Sequence, residues 1–286
     1  MSNLVQRLLI YFLGVPAVAA IVVLLPGLRH LAAVIVVLTM LAACALELAS
    51  LFKARGVSAS RLEFVLLALI FPVGAYASAF APEGSIWAAG AILALCVAAA
   101  AAVFARLAFS KAEDIPGILP RTAALALNLV YLGALGSFVV LIASEPPLST
   151  PSLLTFCLLC FANDGLAWLV GMTLGRRRGV VAVSPNKSVA GFIGGMAGSI
   201  VTAFICAALF PSSMAAPWWA ILILGTLVGA SAIVGDLFES ALKRSAGAKD
   251  SGSAVPGRGG FLDSFDSLLL AAPVFYALSL VMGLFR

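Results

Sequence analysis

The chain has 286 residues, of which 63% are hydrophobic and only 10% charged, with a formal net charge of +5. A water-soluble domain has too little interior to hide that much apolar surface, so the composition excludes one. The apolar runs are continuous rather than alternating, which excludes a transmembrane β-barrel and points to an all-α polytopic membrane protein.

Crossing a bilayer takes roughly 20 mostly apolar residues in a helix. In chain order the predicted spans are 8–27, 30–51, 62–81, 85–106, 121–143, 152–175, 190–210, 217–239 and 266–285, nine in all. Pro82, Pro116, Pro120, Pro146, Pro147, Pro151, Pro211 and Pro217 mark boundaries between them. The first run is too long for the apolar region of a signal peptide, and no clear cleavage site follows it, so it is expected to stay as a helix. His30, the only histidine, sits beside Arg29 at a helix start and is expected at the membrane interface. A zinc site or a histidine-dependent triad is not expected. Cys44, Cys96, Cys157, Cys160 and Cys206 all lie in apolar runs, and Cys157 and Cys160 read as packing residues rather than as a metal pair.

The basic residues divide by side. The N-terminus and even-numbered loops hold Arg7; Lys53, Arg55 and Arg61; Arg106, Lys111 and Arg121; Arg176, Arg177, Arg178 and Lys187; and Lys243, Arg244, Lys249 and Arg258. Only Arg29 and Arg286 fall on the other side. The positive-inside rule then places the N-terminus in the cytoplasm and the C-terminus outside. Residues 1–150 read as scaffold helices facing lipid, with a homodimer as an open alternative. Residues 151–286 read as the working half, with cytoplasmic loops at 176–189 and 240–265.

Two stretches carry chemistry. Asp236, Glu239, Ser240 and Lys243 are spaced i, i+3, i+4 and i+7, one face of a helix. Asp263 and Asp266 are i, i+3 at the start of the last span. Carboxylates at two helix mouths can form an oxygen cage for a hard cation such as Mg²⁺. Between them lie Arg244, Lys249 and the glycines of "PGRGG", residues suited to phosphate. Upstream, Asn163 and Asp164 sit inside an apolar run, where a charge demands a partner. Gly171, Gly175, Gly191 and Gly195 have the spacing of closely packed helices. "RRR" at 176–178 reads as an anchor. Ser184, Lys187 and Ser188 cluster donors in a turn before a glycine-rich helix start, an anion cradle. Acids for a cation, bases for phosphates and a membrane for a lipid suggest phosphoryl or nucleotidyl transfer to a lipid head group.

The order Ser240, Lys243, Arg244, Lys249, Asp250, Pro256, Gly257, Gly259, Gly260, Leu262, Asp263, Asp266, Ser267 resembles the signature of the phosphatidate cytidylyltransferases. "GDLFES" and "SPNKS-x-x-GFIGG" resemble that family's upstream blocks, so the likeness covers residues from about 160 onward. Three positions depart from it. Arg258 stands for a histidine, Ser264 for an arginine, and Ala190 for a glutamate.

The resemblance implies that CTP and phosphatidate give CDP-diacylglycerol and pyrophosphate with Mg²⁺. A second cation, divalent or K⁺, is an open addition. It implies metal binding by Asp236, Asp263 and Asp266, and catalytic roles for Asp236, Asp263, Lys243 and Arg244. It implies substrate contacts from Ser184, Lys187, Ser188, Ser240, Lys249, Asp250, Arg258, Gly259 and Gly260. The expected place is a membrane, the inner one if the source is bacterial, with the site facing the cytoplasm and no nucleic-acid partner. The open alternatives are a secondary transporter using Asp164 and Asp236 as ion sites, a CDP-alcohol phosphotransferase, and a non-catalytic relative or one acting on another lipid phosphate.

Overall fold

The computed structural model describes residues 13–81, 86–144, 149–255, 257 and 259–284. No water satisfies backbone groups within a bilayer, so each apolar run closes its own hydrogen bonds as a helix. The helices are α1 (Val15–Leu24), α2 (Gly27–Lys53), α3 (Arg61–Ser78), α4 (Ile86–Ala105), α5 (Ile118–Asn128), α6 (Leu135–Ser144), α7 (Ser149–Leu174), α8 (Val189–Leu209), α9 (Trp218–Ser245) and α10 (Leu262–Met282). A π-helical turn over Leu129–Ala134 joins α5 to α6.

Among the described residues, eight helical segments are long and apolar enough to cross a membrane. They match eight of the nine predicted spans. The remaining one, 8–27, is described only as α1, because residues 8–12 lie outside the described residues.

Some boundaries move. α9 continues past the predicted 239 to Ser245, which puts Ser240, Lys243 and Arg244 on a helix rather than in the loop. α10 begins at Leu262, so Asp263 stands in its first turn. The loop expected between 106 and 121 is coiled into tight turns at Arg106–Phe109 and Ala112–Gly117. Pro120 falls in the first turn of α5, where a missing N–H forfeits no helical bond, and Pro116 lies inside the preceding tight turn.

His30 is buried within the protein, at 3% exposure, with Nε2 2.7 Å from Thr150 Oγ1. Leu28, Arg29 and His30 all take left-handed φ values (49°, 54° and 58°), so the chain turns sharply before α2 becomes regular. All five cysteines are free.

Lipid tails are as apolar as leucine, so helices associate through close packing of small residues and through buried polar ties. α7 and α8 do both. A Cβ added to Gly191 would lie 3.4 Å from Gly171 Cα, so these glycines let the two helices pack closely. Asn163, 1% exposed, donates from Nδ2 to Ser199 Oγ (3.1 Å) and to the Gly229 carbonyl (3.2 Å), tying α7 to α8 and α9. α9 packs in turn on α10, and α10 packs on α2 and α6. Aromatic pairs hold the seam between the two halves: Tyr131 with Phe238 at 5.0 Å, and Phe138 with Tyr276 at 5.7 Å. The N-terminal half has its own buried charge pair. Glu63, 2% exposed, accepts two bonds from Arg121 Nη2, each 2.7 Å.

Candidate active site

The last turns of α9 present Asp236, Glu239, Ser240 and Lys243 to a cavity of about 530 Å³. α7 supplies Asn163, Asp164 and Trp168 to its wall, and α10 supplies Asp263 and Asp266. The loop before α8 adds Ser184, Lys187 and Ser188. Arg178, Arg244, Lys249 and Asp250 complete the lining. Four sequence segments scattered from 163 to 266 thus converge on one space. Every predicted site residue from Ser184 to Asp250 is there, together with Asp263 and Asp266. Gly259 and Gly260 do not line the cavity; they pack behind Asp263. Arg258 lies outside the described residues.

Local bonding explains the loop before α8. Gly179 N–H reaches the Pro185 carbonyl at 2.8 Å, and Lys187 N–H reaches the Ser184 carbonyl at 3.1 Å. Ser188 Oγ accepts from Gly191 N–H at 3.1 Å, which makes it the N-cap of α8. Only its O–H is left to face the cavity. Of the three arginines read as an anchor, Arg178 turns to the cavity wall, so it joins the candidate phosphate contacts.

The charges are paired in two sets. Lys187 Nζ lies 2.5 Å from Asp236 Oδ2, and both side chains are part-exposed. Lys243 sits between Glu239, at 2.6 Å, and Asp263, in a buried triad. Asp263 Oδ2 also accepts from Ser251 N–H (2.9 Å), Ser251 Oγ–H (2.8 Å) and Gly260 N–H (2.7 Å). Lys243 is thus paired with two buried carboxylates, and Asp263 is bonded both to the loop and to Lys243.

The expected cage of Asp236, Asp263 and Asp266 is accordingly not assembled. Among the described residues no three His, Cys, Asp or Glu side chains converge as a cation site. A divalent cation on a nucleotide needs less: one or two carboxylates, with phosphate oxygens and waters completing the shell. Asp236 and Asp266 fit that donor set. Asp266 is 3% exposed, and Asp236, Asp164 and Glu239 all act on it electrostatically. Glu239 is fully buried, and neither of its oxygens receives a hydrogen bond, its contact with Lys243 being an ion pair without hydrogen-bond geometry.

One residue bonded to the site's surroundings escaped sequence reasoning. Glu47, on α2, accepts from Ser251 Oγ–H at 2.7 Å, from Phe261 N–H at 2.9 Å and from Leu262 N–H at 2.9 Å. An isolated acid inside an apolar run was the available signal, the same one that singled out Asp164. Gly260 fits against this junction because it has no side chain. A Cβ there would collide with Ser251 Oγ and the Glu47 carboxylate. Gly260→Ala is therefore expected to cost about 1–3 kcal/mol by overpacking, read as a lower thermal midpoint.

A family model described as the cytidylyltransferase family matches residues 5–282. The chain belongs to the cytidylyltransferase family. Within it, the chain is similar to phosphatidate cytidylyltransferase of Bacillus subtilis, with 35% identity over 156 residues, 54% of this chain and 56% of that protein. It is similar to the protein of that name from Chlamydia trachomatis serovar D, with 39% identity over 123 residues, 42% of this chain and 40% of the relative. For the Synechocystis protein of that name the identity is 39% over 127 residues, 44% of this chain and 41% of the relative. The chain spans about half the length, or less, of these curated relatives. The cytidylyltransferase helices described here, long and apolar, make it an integral membrane protein.

Proposed function

We propose that this cytidylyltransferase-family protein transfers the cytidylyl group of CTP to phosphatidate, giving CDP-diacylglycerol and pyrophosphate. The observation that carries the reading is the single cavity where acids of α7, α9 and α10 face Arg178, Lys187, Arg244 and Lys249. The curated relatives are named for this activity. The basic loops support a site open to the cytoplasm, where CTP is found, in the inner membrane of a bacterium.

The chemistry suits these side chains. A phosphomonoester has a second pKa of about 6, so near pH 7 the attacking oxygen is already anionic and no strong general base is needed. A phosphatidate oxygen bonds to the α-phosphorus of CTP. The bond from that phosphorus to the oxygen bridging to the β-phosphate breaks, and pyrophosphate leaves with the electron pair. The obstacle is repulsion between two anions. Arg178, Lys187, Arg244 and Lys249 offset it on the triphosphate side. Asp236 and Asp266 would hold Mg²⁺, with Asp263 behind them keeping α10 and the loop in place. When bound, Mg²⁺ neutralises phosphate charge and aligns the leaving group. Lys187 already pairs with an anion, Asp236, so phosphate binding there exchanges one oxygen partner for another. Ser184 and Ser240 add neutral donors.

The test is product analysis with purified protein, phosphatidate, Mg²⁺ and each of the four nucleoside triphosphates. Label from the α-phosphate of CTP is expected in the lipid, with one pyrophosphate per lipid formed. No lipid-borne label from any nucleotide would reject the reading and favour a transporter or a non-catalytic relative.

A further inference from the structure

We infer that Glu47 is a positioning residue for the nucleotide site, holding the loop 250–261 against α10 from a helix of the N-terminal half. This rests on the functional reading above, since it assigns that loop's cargo as nucleotide.

The contacts run as a chain. Glu47 grips Ser251, 204 positions ahead in the sequence, and the Leu262 N–H, 215 positions ahead. Phe261 and Leu262 open α10, so the Glu47 carboxylate occupies the positive end of that helix and satisfies two N–H groups that the helix leaves open. The Ser251 hydroxyl has one proton and two acceptors: Glu47 Oε2 at 2.7 Å and Asp263 Oδ2 at 2.8 Å. It therefore joins the two carboxylates as a shared bridge. Asp263 passes the contact to Lys243, and Lys243 to Glu239, on the cavity face of α9.

The same junction is moulded around Glu47. A Cβ on Gly252 would lie 2.5 Å from Glu47 Oε1, and one on Gly260 would also strike the carboxylate. Immediately before Ser251 come Lys249 and Asp250, both exposed and both on the cavity lining. On their other side Ala248 N–H bonds to the Lys243 carbonyl at 2.9 Å, so Lys249 and Asp250 stand between that turn and the anchor at Ser251. Glu47 itself does not line the cavity, so it acts through the loop and is not a catalytic residue.

The test compares wild type, Glu47→Gln and Ser251→Ala as full-length protein in detergent, by hydrogen exchange and by CTP binding at fixed Mg²⁺. Glutamine keeps the volume, but in either orientation its amide nitrogen confronts an N–H donor. Glu47→Gln is expected to lose exchange protection over 251–262 while α2 and α3 keep theirs. Its Kd for CTP is expected to rise about tenfold, equivalent to one lost hydrogen bond to a charged group. Ser251→Ala, which keeps the Glu47 bonds to α10, is expected to show the same pattern more weakly. Wild-type protection of the loop in Glu47→Gln would overturn the proposal. So would lost protection with unchanged CTP affinity, or a loss spread over the whole bundle, which marks a general packing role. A wild type that binds no CTP would overturn the functional reading instead, and the exchange data would still decide whether Glu47 anchors the loop.

Discussion

Lys243→Met is expected to destabilise the protein by about 3–5 kcal/mol, the cost of leaving buried charge without its partner. The lysine side chain is 11% exposed, and those of its partners Glu239 and Asp263 are 1% and 6% exposed. Two carboxylates would then face each other across a buried gap. Asp263 keeps its three bonds from Ser251 and Gly260, but Glu239 has no other donor. The burden therefore falls on Glu239, and removing that charge as well should relieve it. The double variant Lys243→Met, Glu239→Leu is expected to regain at least half of the lost stability, because a buried pair replaced whole by apolar groups is often neutral. Thermal unfolding in detergent checks both. If the single variant unfolds at the wild-type midpoint, the triad is not the buried pin of the site.

Asp236→Asn is expected to do the opposite: leave the fold and abolish turnover. The Asp236 side chain is 37% exposed and that of Lys187 is 23% exposed, so breaking their pair costs about 1 kcal/mol or less. Its carboxylate, however, is a part-exposed acid of the cavity wall and acts electrostatically on buried Asp266. On the proposed reading, neutralising it removes a cation ligand where polyanions must meet. A fall of about 10³-fold in kcat/KM, roughly 4 kcal/mol of transition-state stabilisation, is expected. Initial rates with CTP and phosphatidate at saturating Mg²⁺, paired with a melting curve, separate the two effects.

Much of this site could be read from the chain because its parts are local. The i, i+3, i+4, i+7 run from Asp236 to Lys243 is one helical face in the sequence and in the structure. The turn at Ser184–Ser188 and the acids of α10 arrive at the same cavity. The glycines at 171 and 191 pack α7 on α8 as their spacing implies. What escaped was whatever depends on distant pairing. Glu47 takes its meaning from a loop 204 residues away, and Glu63 from Arg121, 58 residues away. Neither partner is visible from a run of apolar residues. The roles within the site shifted for the same reason. Spacing places Asp263 and Lys243 near each other, but only geometry shows that they pair with one another. Likewise "RRR" reads as an anchor, yet Arg178, exposed like its two neighbours, also lines the cavity.

Mn²⁺, an oxygen-seeking stand-in for Mg²⁺, bound to purified wild type and Asp236→Asn with and without CTP, tests most directly whether a cation and a triphosphate share this cavity. CTP is expected to tighten Mn²⁺ binding at least tenfold in the wild type, since phosphate oxygens complete the shell, and to have no such effect in the variant. Equal Mn²⁺ affinity in both proteins in the presence of CTP would contradict the assignment of Asp236, and with it the charge-neutralising role given to the cavity.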